Sequence, residues 1–281
     1  TQQPRYQECE RLFENETMIG FKMFDQDVGR MFLRRVLKRK WHTLPILALW
    51  NQRTKVLARL QHPNIPMFHG ANVDAEGRCF WAGEYIEGES LVEILSKLQE
   101  RRPLYTSFFT HTVRLRVFWQ LIQVVAFAHN QGVAEIALDL NALVFTQQGQ
   151  LKVLGWEHAQ IAESSLFSEQ PLTFEQLRNF WGQDWSATKE AEQVRRWLPE
   201  QSHASEIMRA EDQKRLWKVF RAWVLGDLSA SPSAVGASKL SFVWPPHIIS
   251  SSIFREWKRT QDNPFSTLDE MLETLQGFFE R

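Results

Sequence analysis

Cysteine is nearly absent: the 281 residues hold only Cys9 and Cys79. Two thiols so far apart make neither a disulfide framework nor a metal-ligand spacing, and a reduced, cytoplasmic setting is the default expectation. Charge of one sign is not in excess either, with 33 Lys plus Arg against 33 Asp plus Glu. No bulk field therefore draws the chain to nucleic acid or to a membrane. No apolar run reaches the roughly 18 residues of a spanning helix, so no direct membrane insertion is expected. No signal peptide is visible, and a first residue Thr1 points to a trimmed chain with flanking domains outside it. What is present is ordinary for a globular protein, 43% apolar and 23% charged, in a length that suits one large domain or two lobes. The exception is tryptophan, at twelve residues. Such richness fits a protein that binds proteins, although core packing accounts for most of it.

Periodicity gives the elements. Tyr6 to Phe13, Ile19 to Phe24 and Arg30 to Leu37 read as strands, the last two joined by the turn QDVG. A helix follows from about Pro45 to Leu60 and ends in LARLQHPNI. CFWAGEYIEGESL, Cys79 to Leu91, is a strand and a connector, and Ser90 to Leu98 a short helix. Leu115, Phe118, Trp119, Ile122, Val125, Ala126 and His129 recur at helical spacing and define a buried face. His129 on that face reads as a capping or core histidine. Gly132 to Glu157 then runs loop, short strand, turn and second strand: GVAEIALDLNALVF, TQQGQ, LKVLGWE. The basic run RRVLKRKWH, Arg34 to His42, reads as a solvated loop, since base recognition needs a wider basic face.

This order closely resembles the eukaryotic-type (bacterial) Ser/Thr protein kinase fold, whose catalytic centre reads G-V-I-H-R-D-L-K-P-x-N-I-L-L, a turn, then V-K-V-x-D-F-G. HPNI, EYIEG and the distance from Asp212 to Gly226 fit the same family, and the resemblance covers nearly the whole chain. It implies an α+β, bilobal fold: a small antiparallel-sheet N-lobe over 1–86 and a larger, mostly helical C-lobe over 87–281, together one domain. The reactive positions are the ones that differ. His-Arg-Asp becomes Glu135, Ile136 and Ala137, the metal-binding Asn becomes Ala142, and Asp-Phe-Gly becomes Gly155, Trp156 and Glu157. In-line phosphoryl transfer needs a carboxylate at the hydroxyl and oxygen ligands on magnesium, and Ala137, Ala142 and Gly155 supply none. Asp139 and Asn141 lie close in sequence, but neighbouring residues point differently and a shift of about 1 Å already costs a hundredfold.

The resemblance places the rest of a degenerate nucleotide pocket on Phe32, Arg34, Gly83, Glu84 and Val144. Phe32 would roof the adenine slot, Arg34 would replace the phosphate-binding Lys, and Gly83 would open a space that Trp81 or Trp156 fills. The helix glutamate becomes Arg53. Two cations about 4 Å apart repel by roughly 4 kcal/mol at an effective dielectric near 20, so Arg34 and Arg53 should not meet unless a carboxylate, Glu135 or Glu157, lies between them; the alternative is an outward-rotated helix, as in inactive kinases. The glycine-rich loop becomes FENETMIG, with Glu14 and Glu16 where they would repel phosphates, although by its residues alone the stretch reads as a solvated hairpin tip. Asp212 would anchor the catalytic-loop backbone, and Glu200 of Leu198-Pro199-Glu200 has lost its Arg partner to Asn263. The segment from Glu157 to Glu200 would form two short helices starting at Thr173 and Ser186, either a folded plug or a partner surface. The resemblance therefore implies a pseudokinase: a scaffold or regulator for a protein partner, not an enzyme, with no cofactor, no metal and no nucleic acid. An atypical ATP-using phosphotransferase or nucleotidyltransferase, or a metal-free nucleotide switch, is the alternative.

Overall fold

The structure, a computed structural model, describes residues 5–134, 136–156, 159–161, 173–195, 205–226 and 267–279. Glu135, Glu157, Glu200 and Asn263 lie outside the described residues. The chain divides into two compact units, Thr1–Ile86 with Trp156–Ala204 and Glu87–Gly155 with Ser205–Arg281. The division departs from lobes of 1–86 and 87–281 in one stretch, 156–204, which joins the first unit.

The first unit is a five-stranded antiparallel sheet with helices against one face. Its strands are β1 (Tyr6–Glu14), β2 (Met18–Asp25), β3 (Arg30–Leu37), β4 (Phe68–Val73) and β5 (Cys79–Glu84), in the order β1-β2-β3-β5-β4. The β2–β3 hairpin closes where the Gly29 amide donates to the Asp25 carbonyl at 2.8 Å, with Gly29 at φ +64°. Only glycine adopts such a φ without strain. Helix α1 (Leu44–Arg59) starts with Pro in its first turn, where a missing N–H costs nothing. It buries Ile46, Leu49, Trp50, Arg53, Val56 and Leu57, a stripe at helical spacing. No strand is evident in the sequence between His62 and Cys79, since FHGANV has neither alternation nor β-branched bulk until its end; β4 forms there by pairing with β5.

The second unit is mostly helical. A capping box on Ser90 and Glu93 starts α2 (Leu91–Gln99), followed by α3 (Pro103–Phe108) and the central α4 (His111–Asn130). Strand β6 (Gly88–Ser90) pairs with β7 (Leu143–Thr146), which pairs with β8 (Leu151–Val153). Helix α4 is buried more widely than one stripe. Val117, Leu121, Val124 and Ala128 are enclosed besides the expected residues, while Trp119 and Ala126 are only half-buried. A helix walled on several sides loses a clear period, which is why the pattern understated it. Further on, α8 (Ser205–Val219) passes into a π-helical turn, Phe220–Val224, and Leu216, Phe220 and Trp223 are all buried. The Arg114 guanidinium donates to the Trp223 carbonyl at 3.1 Å, and the Trp223 indole donates back to the Arg114 carbonyl at 3.0 Å. This exchange ties the start of α4 to the π-helical turn.

In the first unit, three helices follow the sheet: α5 (Phe174–Trp181), α6 (Gln183–Ser186) and α7 (Lys189–Arg195). Thr173 caps α5 in a capping box with Gln176. Ser186 ends α6 instead of starting a helix; the Thr188 hydroxyl takes the Ala191 amide at 3.1 Å at the start of α7. Phe174, Leu177, Ala191 and Val194 join Met18, Leu37, Trp41, Ile46, Leu49 and Trp50 in one core. The last described helix is α9 (Leu268–Phe279), whose first turn is capped by Thr267, its hydroxyl accepting the Glu270 amide at 3.1 Å.

Candidate functional site

In the second unit the loop after α4 is held from below by one carboxylate. Asp212, wholly buried on α8, accepts the Ile136 amide at 2.8 Å and pairs with His129 Nε2 at 2.9 Å. Arg215 adds a bond to the Ile136 carbonyl at 2.5 Å. Burial pushes the Asp212 carboxyl above its ordinary value, and the histidine and amide bonds offset part of that. The loop that this clamp fixes carries Ala137, Asp139, Asn141 and Ala142. The Asp139 carboxylate accepts the Asn141 amide at 2.7 Å and opens the short 3-10 turn Leu140–Ala142. Val144 follows on β7, half-buried and opposite Lys152.

The three small residues meet. Gly155 has φ +85°, and a Cβ placed on it would lie 3.6 Å from the Cβ atoms of both Ala137 and Ala142 and 3.0 Å from the Ala137 carbonyl oxygen. The Leu154 amide bonds the Ala142 carbonyl at 2.7 Å and holds the strands at this spacing. Two methyl groups and a hydrogen therefore converge at one point, with no side-chain oxygen among them. Among the described residues, no group of three or more His, Cys, Asp or Glu could hold a metal ion.

In the first unit, the sheet register sorts the sequence-predicted residues onto two faces. Directly opposed residues share a face. Leu33 opposes Gly83, Arg35 opposes Trp81, and Gly20 opposes Arg35 on the other side. Leu37 belongs to the same face, and it packs with α1. Phe32 and Arg34 alternate with these and lie on the far face, so the expected pocket of Phe32, Arg34 and Gly83 is not assembled. The physical reason is the period of two: a frame shifted by one residue turns every side chain to the other side. Phe32 is buried edge-on to Tyr6, centroids 5.4 Å apart, and roofs nothing on the α1 face. Arg34 bonds Asp74 at 3.0 Å and lies 4.3 Å over the Phe80 ring. The clash of cations expected between Arg34 and Arg53 therefore does not arise; Arg53 is 9% exposed on α1.

Arg35 is the residue that sequence reasoning missed. Its guanidinium lies 5.3 Å from the Phe13 ring centre and 4.7 Å from that of Trp81, a cation between two aromatic faces. A Cβ on Gly20 would fall 2.1 Å from the Phe13 ring, so Gly20 is the gap into which that ring fits. Trp81 leans over Gly83, 3.4 Å from where its Cβ would be. The available signal was parity: the strand frame fits Leu33 and Arg35 as well as Phe32 and Arg34, and only the former pair shares the face of Gly83. Glu14, expected to repel phosphate, is paired with Lys38 at 2.5 Å and with Arg11. Glu84 accepts the Met67 amide at 3.0 Å and closes the end of β5. Trp156 is buried, and its carbonyl accepts the Ala159 amide at 3.1 Å.

No protein-family model matches the chain. It is 27% identical over 112 residues to the serine/threonine-protein kinase PknD of Protochlamydia amoebophila (strain UWE25), a match to 38% of this chain and 11% of the relative. It is 28% identical over 126 residues to CBL-interacting protein kinase 25 of Oryza sativa subsp. japonica, covering 45% of this chain and 24% of the relative. The matched stretches span about a tenth and a quarter of those relatives' lengths. With the five-stranded antiparallel sheet and the mostly helical remainder, these decide the class.

The fold is protein-kinase-like.

The same comparisons correct one expectation. Both relatives of this kinase-like domain are protein kinases by name, so the reading that the chain is not an enzyme is overturned: its similarity is to enzymes. Among the described residues, no helix of the kinase-like domain is long and apolar enough to cross a membrane.

Proposed function

We propose that this kinase-like domain works in the cytoplasm as a regulatory or scaffolding module for a protein partner, and that it does not hold magnesium-ATP in the manner of the family it resembles. The observation that carries the reading is the meeting of Ala137, Ala142 and the Cβ position of Gly155. Magnesium needs oxygen ligands at a fixed spacing, and this convergence offers only carbon and hydrogen. The Phe13–Arg35–Trp81 stack supports the same reading, because it fills part of the sheet face on which Gly83 lies. The partner is supported by exposed aromatic surface: Phe180 is 78% exposed and stands edge-on to Trp181, centroids 5.0 Å apart.

Thermal melting with and without millimolar ATP and magnesium tests it. A ligand at about 100 times its dissociation constant adds roughly 2.7 kcal/mol, a shift of several degrees. The expected result is no metal-dependent rise in Tm; such a rise overturns the proposal. A second reading, an ATP-using phosphotransferase with an atypical site, is favoured by the names of both relatives. Transfer of labelled phosphate from ATP to protein is its direct measurement. A rise in Tm with ATP alone would mark a metal-free nucleotide switch.

A further inference from the structure

The face of the sheet turned away from α1 is not flat. Both edge strands carry irregularities: β1 shifts register between Glu8 and Glu10 and between Arg11 and Phe13, and β4 between Phe68 and Gly70. Bulges bend a strand and increase its twist. The bent edges rise around the middle strands and enclose a trough of about 630 Å³. That volume lies within the range of small-molecule sites.

The floor of the trough is apolar: Met23, Phe32, Phe80 and Ala82. Tyr6 stands half-exposed at the mouth, and His69 is tilted against Phe32 with centroids 6.5 Å apart. The charges around it are unevenly satisfied. Asp25 takes both bonds of Arg5, at 3.1 and 3.0 Å. Asp74 is shared between Arg34 at 3.0 Å and Arg78 at 2.9 Å. Arg30, the third arginine of the lining, has no carboxylate partner among the described residues. Asp25 stands opposite Arg30 across the β2–β3 ladder but is held by Arg5. His69 also feels the Arg30 charge: burial and that charge hold its pKa below the ordinary value, with Glu84 opposing them. Near pH 7 that imidazole is neutral and presents a ring N–H.

We propose that this trough binds a small aromatic anion, a ring bearing a carboxylate or a phosphate, with the anionic group on Arg30 and His69 and the ring on the apolar floor around Phe32 and Ala82. The planar guanidinium matches either head group with two parallel bonds. The floor supplies the apolar contact, and the two arginine–aspartate pairs fix the walls. This site is separate from the face that carries Gly83 and Arg35, so it stands whether or not the domain holds a nucleotide there.

Isothermal titration of the full chain with phenyl phosphate and with benzoate tests the proposal, with phenol and inorganic phosphate as half-ligands. At least one of the two aromatic anions should bind, and each half-ligand at least roughly tenfold more weakly, because one of the two contacts is missing. Arg30→Ala, at an exposed position, should weaken binding by about tenfold or more without lowering Tm, and Arg30→Lys should fall between. Lys22→Ala, which removes the same charge from the opposite face, should leave binding unchanged. Binding equal in Arg30→Ala and wild type overturns the site. So does inorganic phosphate binding as tightly as the aromatic anions, or no binding of either aromatic anion at millimolar concentration.

Discussion

Gly155 shows how far the loop is committed to its small residues. Its φ of +85° and the Ala137 oxygen 3.0 Å from its Cβ position both resist a side chain. Gly155→Asp should cost about 1–3 kcal/mol, read as a lower urea midpoint. Ala142→Asn, at a half-buried position without a special φ, should cost well under half of that. Restoring the family's residue types is therefore not a neutral exchange at each position. A second residue-scale prediction concerns His111 at the start of α4. Burial, with help from the Arg114 charge, holds its pKa down to about 4 against an ordinary 6.5. Above pH 6.5 neither state binds the proton. As pH falls through 6.5 the unfolded chain takes it up and the folded chain does not until about 4, so stability declines across that window. His111→Gln removes this component: the difference in urea-unfolding free energy between wild type and variant should change between pH 6.5 and about 4 and be flat above.

At the scale of elements, α5 to α7 are part of the sheet unit's core, and this can be measured. Glu190 accepts the Trp185 indole N–H at 2.7 Å and the Thr43 hydroxyl, which joins α7 to the start of α1. Phe174 stacks on Trp185, centroids 5.6 Å apart, and is fully buried. Phe174→Ala should destabilise by about 3–5 kcal/mol, as much as truncating a large residue on the sheet itself, and a denaturant titration followed by tryptophan fluorescence reads it. A plug lying loosely on the surface would lose less than about 1 kcal/mol. These helices also show what was legible in the sequence. Thr173 with Gln176 is a local signal, and it marks the start of α5. At Ser186 the local signal is ambiguous, because Ser and Thr offer a cap two residues apart, and the bond to Ala191 comes from Thr188. Strands β1 to β3 and helix α1 follow from alternation, the QDVG turn and a Pro start, all short-range features. The faces of β3 were not legible, since a motif count fixes order but not which side of the sheet a residue meets. That depends on the pairing of Leu33 with Gly83, a contact between distant positions. Strand β4 was invisible for the same reason: its partner, not its own pattern, makes it a strand.

For the whole molecule, the decisive feature is that the chain passes between the two units three times, after Ile86, after Gly155 and after Ala204. Each unit is thus built from two separated stretches of sequence. The first 86 residues hold the complete sheet, yet they lack Phe174, Leu177, Ala191 and Val194 of the shared core. Burying a Phe, a Leu and a Val contributes about 1.5–3 kcal/mol each, so their loss removes roughly 5–9 kcal/mol. Domains of this size are stable by about 5–15 kcal/mol in all. Residues 1–86 alone should therefore show no cooperative urea transition in the fluorescence of Trp41, Trp50 and Trp81. The same residues joined by a Gly-Ser linker to 156–204 should regain one, because the missing apolar groups return without any of the second unit. If 1–86 alone unfolds cooperatively near the full chain's midpoint, the helices α5 to α7 are a covering on a finished domain, and the cost of Phe174→Ala should be small as well.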